Sequence, residues 1–88
     1  MINLNYLIKV YIDKLTINDI IYLCGKRNIK ISEVDAEILL NTAKEHWNDF
    51  YSGDPSKIIN DLKDKLDTST YNKLLKVYLE YKNKGIIN

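Results

Sequence analysis

Apolar residues recur along this chain at intervals of three and four positions, which is the spacing of one face of an α-helix. The pattern falls into five segments, and no stretch alternates in the manner of a half-buried strand. We predict helices at residues 4–15, 17–26, 33–51, 55–66 and 69–84. The sequence therefore predicts an all-α fold, a compact bundle of about five short amphipathic helices forming a single domain over residues 1–88.

Residues that commonly begin helices stand at the starts of these segments. Thr16 with Asp19, and Ser32 with Asp35, have the spacing of a capping box. Asp54 can cap the fourth helix, with Pro55 at its first helical position. Asp67 or Thr68 is expected to cap the fifth.

The same spacing predicts which side chains pack inward. The second helix is expected to bury Ile20, Ile21, Leu23 and Cys24, and the connector 28–31 to turn one isoleucine inward. Each of the other helices has its own inward stripe. These stripes are, in the first helix, Leu4, Leu7, Ile8, Tyr11, Ile12 and Leu15; in the third, Val34, Ile38, Leu39, Thr42, Ala43, His46, Trp47 and Phe50; in the fourth, Ile58, Ile59, Leu62 and Leu66; and in the fifth, Tyr71, Leu74, Leu75, Tyr78 and Leu79.

The charges are balanced overall but unevenly distributed. The net charge is +1, so no global field attracts a polyanion. Residues 1–31 carry five basic and two acidic side chains. Residues 32–55 carry one basic and six acidic side chains, and residues 56–88 carry seven basic and four acidic ones. This distribution suggests that the two basic segments surround the acidic third helix, but we favour the simpler interpretation that these charges form a few solvated faces.

Catalytic and metal-binding patterns are weak. Cys24 and the single histidine, His46, lie on different predicted helices, without the third group that would orient an imidazole. Glu45, His46 and Asp49 provide too few ligands on one helix face for a typical zinc site, and no Gly-rich phosphate loop occurs. We therefore expect no enzymatic activity, no cofactor, no metal and no small-molecule substrate.

Nucleic-acid or ribosome binding is the alternative to be tested. Lys26, Arg27 and Lys30 form a basic connector before the third helix, and Lys73, Lys76, Lys82 and Lys84 lie on the fifth. The connector is longer than a typical helix-turn-helix turn, and the third helix begins with carboxylates that would repel phosphates. We rank this alternative below protein binding.

A protein partner, or a second copy of the chain, is the favoured prediction. Tyrosine occurs seven times beside one tryptophan, and both residue types are common interface anchors. The candidate anchors are Trp47, Tyr51, Tyr78 and Tyr81, between the third and fifth helices. A lone cysteine, together with the lack of a signal peptide or membrane span, predicts a cytoplasmic location. The aromatic residues and the weak catalytic patterns predict an adaptor or regulatory module.

Two segments also carry a family resemblance. Residues 15–21 read Leu-Thr-Ile-Asn-Asp-Ile-Ile, and residues 28–38 read Asn-Ile-Lys-Ile-Ser-Glu-Val-Asp-Ala-Glu-Ile. They resemble a family of short, uncharacterised all-helical proteins of low-GC Gram-positive bacteria. The break at 53–55 and the helix ending at 78–82 are similar more loosely. The resemblance implies a helical cytoplasmic domain of unknown function and supplies no site residues.

Overall fold

A computed structural model describes residues 4–83, apart from the side chains of Ser52 and Tyr81. Within this part of the chain the structure is all-α, as predicted, with no strand. Five helices follow one another: α1 (Leu4–Asp13), α2 (Ile17–Gly25), α3 (Glu33–Ser52), α4 (Ser56–Lys63) and α5 (Thr68–Asn83).

The predicted caps explain where three of these helices begin. At α2, the Thr16 hydroxyl accepts a hydrogen bond from the Asp19 backbone N–H, and the Asp19 carboxylate accepts one from the Thr16 N–H. At α3, the Ser32 hydroxyl accepts from the Asp35 N–H. At α5, Asp67 rather than Thr68 is the cap, because its carboxylate accepts from the Thr70 N–H.

Two predicted boundaries need correction. Helix α1 ends at Asp13 instead of residue 15, because the Lys14 and Leu15 N–H groups bond three residues back, in a tighter terminal turn. Helix α4 covers Ser56–Lys63 instead of 55–66. Pro55 is its N-cap rather than its first helical residue, while the Asp54 carboxylate accepts from the Ser56 N–H and hydroxyl.

The helices pack in two groups. Helices α1 and α2 pack on α3, and α4 packs on α5. The main core cluster is formed by α2, the connector after it and the start of α3. Its buried members are Ile20, Cys24, Ile29, Ile31 and Ala36. Leu74 and Val77 pack against this cluster from α5.

Only some of the side chains that were predicted to be buried in α2 are buried in the structure. Ile20 and Cys24 are buried, whereas Leu23 is exposed. In α1 no residue is buried, and Leu4, Leu7 and Tyr11 are exposed rather than inward, because α1 packs closely on α3 alone. Val34 and Leu79 are exposed as well, contrary to prediction.

The connector between α2 and α3 buries two isoleucines instead of the single one expected. Asn28 adopts a left-handed backbone conformation (φ 60°), a conformation that asparagine tolerates better than most residues. Ile29 and Ile31 follow, two positions apart, and both are buried in the core cluster. No helix in residues 4–83 is long and apolar enough to cross a membrane.

Candidate partner-binding groove

The apolar faces of all five helices converge on one cavity of about 460 Å³, which we call the central groove. Leu23 and Tyr51 line it and are more than 40% exposed, so the groove opens to solvent at these side chains. It is lined by Ile8, Ile12, Ile20, Leu23, Cys24, Leu39, Thr42, Ala43, Trp47, Phe50, Tyr51, Ile59, Leu62, Leu66, Tyr71, Leu74, Leu75 and Tyr78.

Three of the four aromatic side chains singled out in the sequence lie together here. Trp47 and Tyr51 reach the groove from α3, and Tyr78 reaches it from α5. The side chain of Tyr81 lies outside the described residues. Sequence reasoning missed the contribution of α1 and α2, because their groove-lining stripes were assigned to a filled core.

Helix α3 supplies one long wall of the groove and changes direction within it. His46 interrupts the helical backbone (φ −126°, ψ 16°), which makes a kink directly before Trp47. On the N-terminal side of the kink, the Lys44 ammonium donates a hydrogen bond of 3.0 Å to the Asp13 carbonyl oxygen. A cation at a helix C-terminus satisfies a carbonyl left without an intrahelical partner, so Lys44 ties the end of α1 to α3.

A second tie joins α3 to the start of α5. Asp35 is buried, and its carboxylate oxygen Oδ2 accepts a hydrogen bond of 3.3 Å from the backbone N–H of Asp67. Asp67 is the N-cap of α5, so this one carboxylate positions the helix that carries Tyr78. The sequence predicted Asp35 as the capping-box partner of Ser32, but its carboxylate bonds the Asp67 N–H, a contact that no local spacing indicates.

Among the residues that the structure describes, no ionised side chain lines the groove. The polar groups in this described lining are the Thr42 hydroxyl, the tyrosine hydroxyls, the Trp47 indole N–H and the Cys24 thiol. Burial raises the pKa of the Cys24 thiol, which keeps it protonated and unreactive at neutral pH. The groove therefore suits the binding of an apolar surface.

A smaller polar depression of about 310 Å³ lies beside the α3 kink. His46 is 3.6 Å from a Glu45 carboxylate oxygen through Nε2 and 3.6 Å from an Asp49 oxygen through Nδ1. Within residues 4–83, no group of three or more His, Cys, Asp or Glu side chains is arranged to hold a metal ion.

The basic residues of the alternative prediction do not line the groove, but Lys26 and Arg27 border an adjoining cavity of about 510 Å³ that shares Leu23, Cys24 and Leu74 with it. Lys26, Arg27 and Lys30 are exposed on the α2–α3 connector, and the Lys26 ammonium lies 5.5 Å from the centre of the Tyr22 ring. On α5, Lys73, Lys76 and Lys82 are exposed, whereas Lys84 is outside the described residues. Glu33 and Glu37 are exposed at the start of α3, close in sequence to the basic connector.

Comparisons with protein-family models, with curated proteins and with solved structures found no match to this chain. The resemblance to the low-GC Gram-positive family therefore remains a prediction.

Proposed function

We propose that this chain is a small non-catalytic interaction module, an adaptor or regulatory protein of the cytoplasm, that binds the apolar face of a partner helix in the central groove. The observation that carries the proposal is an apolar groove, open to solvent, to which all five helices contribute. Helix-in-groove recognition uses such a surface, with anchors spaced at i, i+3, i+4 and i+7 on the bound helix.

The composition of the groove favours a protein partner over a small molecule. Ligand pockets fix the orientation of their ligand with a few precisely placed polar groups, among them a charged residue or a metal ion. The groove lining that the structure describes has hydroxyl, indole and thiol groups but no charged side chain. Trp47, Tyr51 and Tyr78 instead provide large, rigid contact areas, which are typical of the residues that dominate binding energy at protein interfaces.

A photocrosslinking experiment in the native cell tests this proposal. A photoreactive phenylalanine analogue replaces Tyr51 at the groove opening or, as the matched control, Tyr22, which is exposed and does not line the groove. We expect a crosslinked protein from position 51 and not from position 22. A peptide from that protein should then change the fluorescence of Trp47, the only tryptophan, in a saturable titration.

Crosslinking that is equal at the two positions, or absent at position 51, would contradict the proposal. The nucleic-acid alternative makes a different prediction, which is binding that weakens steeply as salt rises. A mobility-shift assay at low salt, with the wild-type chain and the Lys26→Gln/Lys30→Gln variant, distinguishes the two. We expect no shift from either, and a wild-type shift lost in the variant would favour the alternative.

A further inference from the structure

The central groove continues into a second cavity, which we call the basic cavity. The two cavities share Leu23, Cys24 and Leu74, and the basic cavity has a volume of about 510 Å³. Its described lining consists of Leu23, Cys24, Lys26, Arg27, Ile29, Leu74 and Val77. A segment that lies in the groove therefore reaches the basic cavity by passing over side chains that belong to both.

Both charged residues in the described lining of the basic cavity are cations. Lys26 and Arg27 follow one another at the end of α2, and both are exposed. The rest of this lining is aliphatic apart from Cys24. Glu33 and Glu37, the acidic residues that follow the connector, lie outside it. An aliphatic floor with a basic border is complementary to an apolar anchor flanked by carboxylates.

The polar depression beside the α3 kink adjoins the groove as well, and its charge is the opposite. It shares Thr42 and Leu62 with the groove. Its lining has four carboxylates and two ammonium groups, from Glu45, Asp49, Asp54, Asp61, Lys57 and Lys65. A bound segment with carboxylates at one end is attracted by the basic cavity and repelled by this depression, which fixes its direction in the groove.

We propose that the partner is a helical segment of another protein that carries carboxylates at one end of its apolar face, and that these carboxylates lie over Lys26 and Arg27. Charge-assisted hydrogen bonds from the two cations hold the carboxylates, while the aliphatic floor takes an apolar anchor. A nucleic acid offers phosphates but no aliphatic side chain for this floor, so the site favours an acidic protein segment. This inference rests on the proposed function, since it gives the chemistry of the partner in the same groove.

A displayed library of random peptides measures the charge preference of the site. The library is selected separately against wild type, Lys26→Glu and Lys30→Glu. We expect wild type to select apolar peptides enriched in Asp or Glu at one end, and Lys26→Glu to lose this enrichment. Lys30→Glu is the matched control and should keep it, because Lys30 is exposed on the same connector and lines neither cavity.

A titration with one peptide selected on wild type measures the size of the effect, with the fluorescence of Trp47 as the readout. We expect Kd to rise about 3-fold in Lys26→Gln, which loses one exposed charge pair, and about 10-fold in Lys26→Glu, which adds repulsion. Lys30→Glu should change Kd by at most about 2-fold, because its charge is screened at that distance. A negative charge at the C-terminus of α2 opposes the helix dipole, so Lys26→Gln provides the test if circular dichroism shows that Lys26→Glu is unfolded.

Three results would overturn the proposal. They are selected peptides without acidic enrichment, equal effects of Lys26→Glu and Lys30→Glu on Kd, and a library from which wild type enriches no peptide.

The crosslinking experiment separates this inference from the proposed function. Tyr22, its control position, lines neither the groove nor the basic cavity. A protein captured from position 51 through an apolar segment without carboxylates overturns the acidic partner and leaves the interaction module standing. A product with twice the mass of the chain identifies a second copy as the occupant, and a mobility shift of wild type identifies nucleic acid; either result overturns this inference. Absence of any product specific to position 51 contradicts the module itself.

Discussion

The buried Asp35 carboxylate connects the group formed by α1, α2 and α3 to the group formed by α4 and α5. It accepts the Asp67 N–H, and its replacement by alanine would leave that backbone donor without this partner. A part-buried hydrogen bond such as this one contributes about 0.5–1.5 kcal/mol to stability. We expect Asp35→Ala to lower the free energy of unfolding by this amount in urea titrations followed by circular dichroism.

Two further variants show whether that loss comes from the hydrogen bond. Asp35→Asn keeps a carbonyl acceptor and should lose less stability than the alanine variant. Glu33→Ala removes an exposed carboxylate from the same first turn of α3, and its effect should stay within about 0.5 kcal/mol. If Asp35→Ala and Glu33→Ala were equally mild, Asp35 would have no anchoring role.

Cys24 gives a prediction about pH. Burial raises the pKa of its thiol above the ordinary value of 9.0, so the folded chain holds this proton more tightly than the unfolded chain. The stability that comes from burying the neutral thiol is fully present below pH 9 and is lost as the pH rises through the folded-state pKa. We therefore expect the unfolding free energy of wild type to fall relative to that of Cys24→Ala as the pH rises above 9.

Urea titrations of both proteins at neutral and at strongly alkaline pH measure this change, and the shared lysine and tyrosine titrations cancel in the difference. A thiol reagent supplies an independent measurement near neutral pH. The native chain should react much more slowly than the urea-unfolded chain. Equal rates would show that the thiol is accessible in the folded state.

At the scale of elements, the capping box of α2 should account for a measurable part of helix stability. Removing a threonine cap costs about 0.5–2 kcal/mol, and Thr16→Ala should lower the unfolding free energy within that range. Thr68→Ala is the control, because Thr68 lies inside the first turn of α5 and Asp67 makes the capping bond. Thermal unfolding of the two variants measures the difference, and equal losses would contradict the assignment of the caps.

The caps and helix α1 together show what sequence periodicity can and cannot predict. The helices and the caps at Thr16 and Ser32 follow from local chemistry, because a side-chain oxygen and a backbone N–H three residues on are always close at a helix start. Burial of the α1 stripe depends on what lies opposite, and α1 packs closely on α3 alone. Spacing predicts an apolar face but not whether another element covers it.

At the scale of the whole molecule, the groove could be predicted only in part. Trp47, Tyr51 and Tyr78 were assigned to a surface between the third and fifth helices, and all three do line one cavity. The groove is also lined by Ile8, Ile12 and Leu23. Their place in the lining depends on how the two groups of helices pack against each other. Such an arrangement is set by the sum of many side-chain volumes, and no local motif encodes it.

An open apolar groove also has a consequence for stability. Its lining side chains lack the close packing that stabilises a filled core, so a partner that fills the groove stabilises the folded chain by mass action. A larger side chain inside the groove should imitate part of this effect. Ala43 lines the cavity on α3, and Ala43→Leu should raise the free energy of unfolding by about 0.5–2 kcal/mol, as cavity-filling substitutions do.

The same leucine would occupy space that the partner needs, so Ala43→Leu should also reduce crosslinking from position 51. Ala36 is the matched control on the same helix, because it is fully buried in the core cluster. There, an added isobutyl group overpacks the core, and Ala36→Leu should lower the free energy of unfolding by about 1–3 kcal/mol. If Ala43→Leu destabilised the chain as much as Ala36→Leu does, the groove would be a packed core in solution and no docking surface would remain. A gain in stability with loss of association is the combination expected of a surface kept open for a partner.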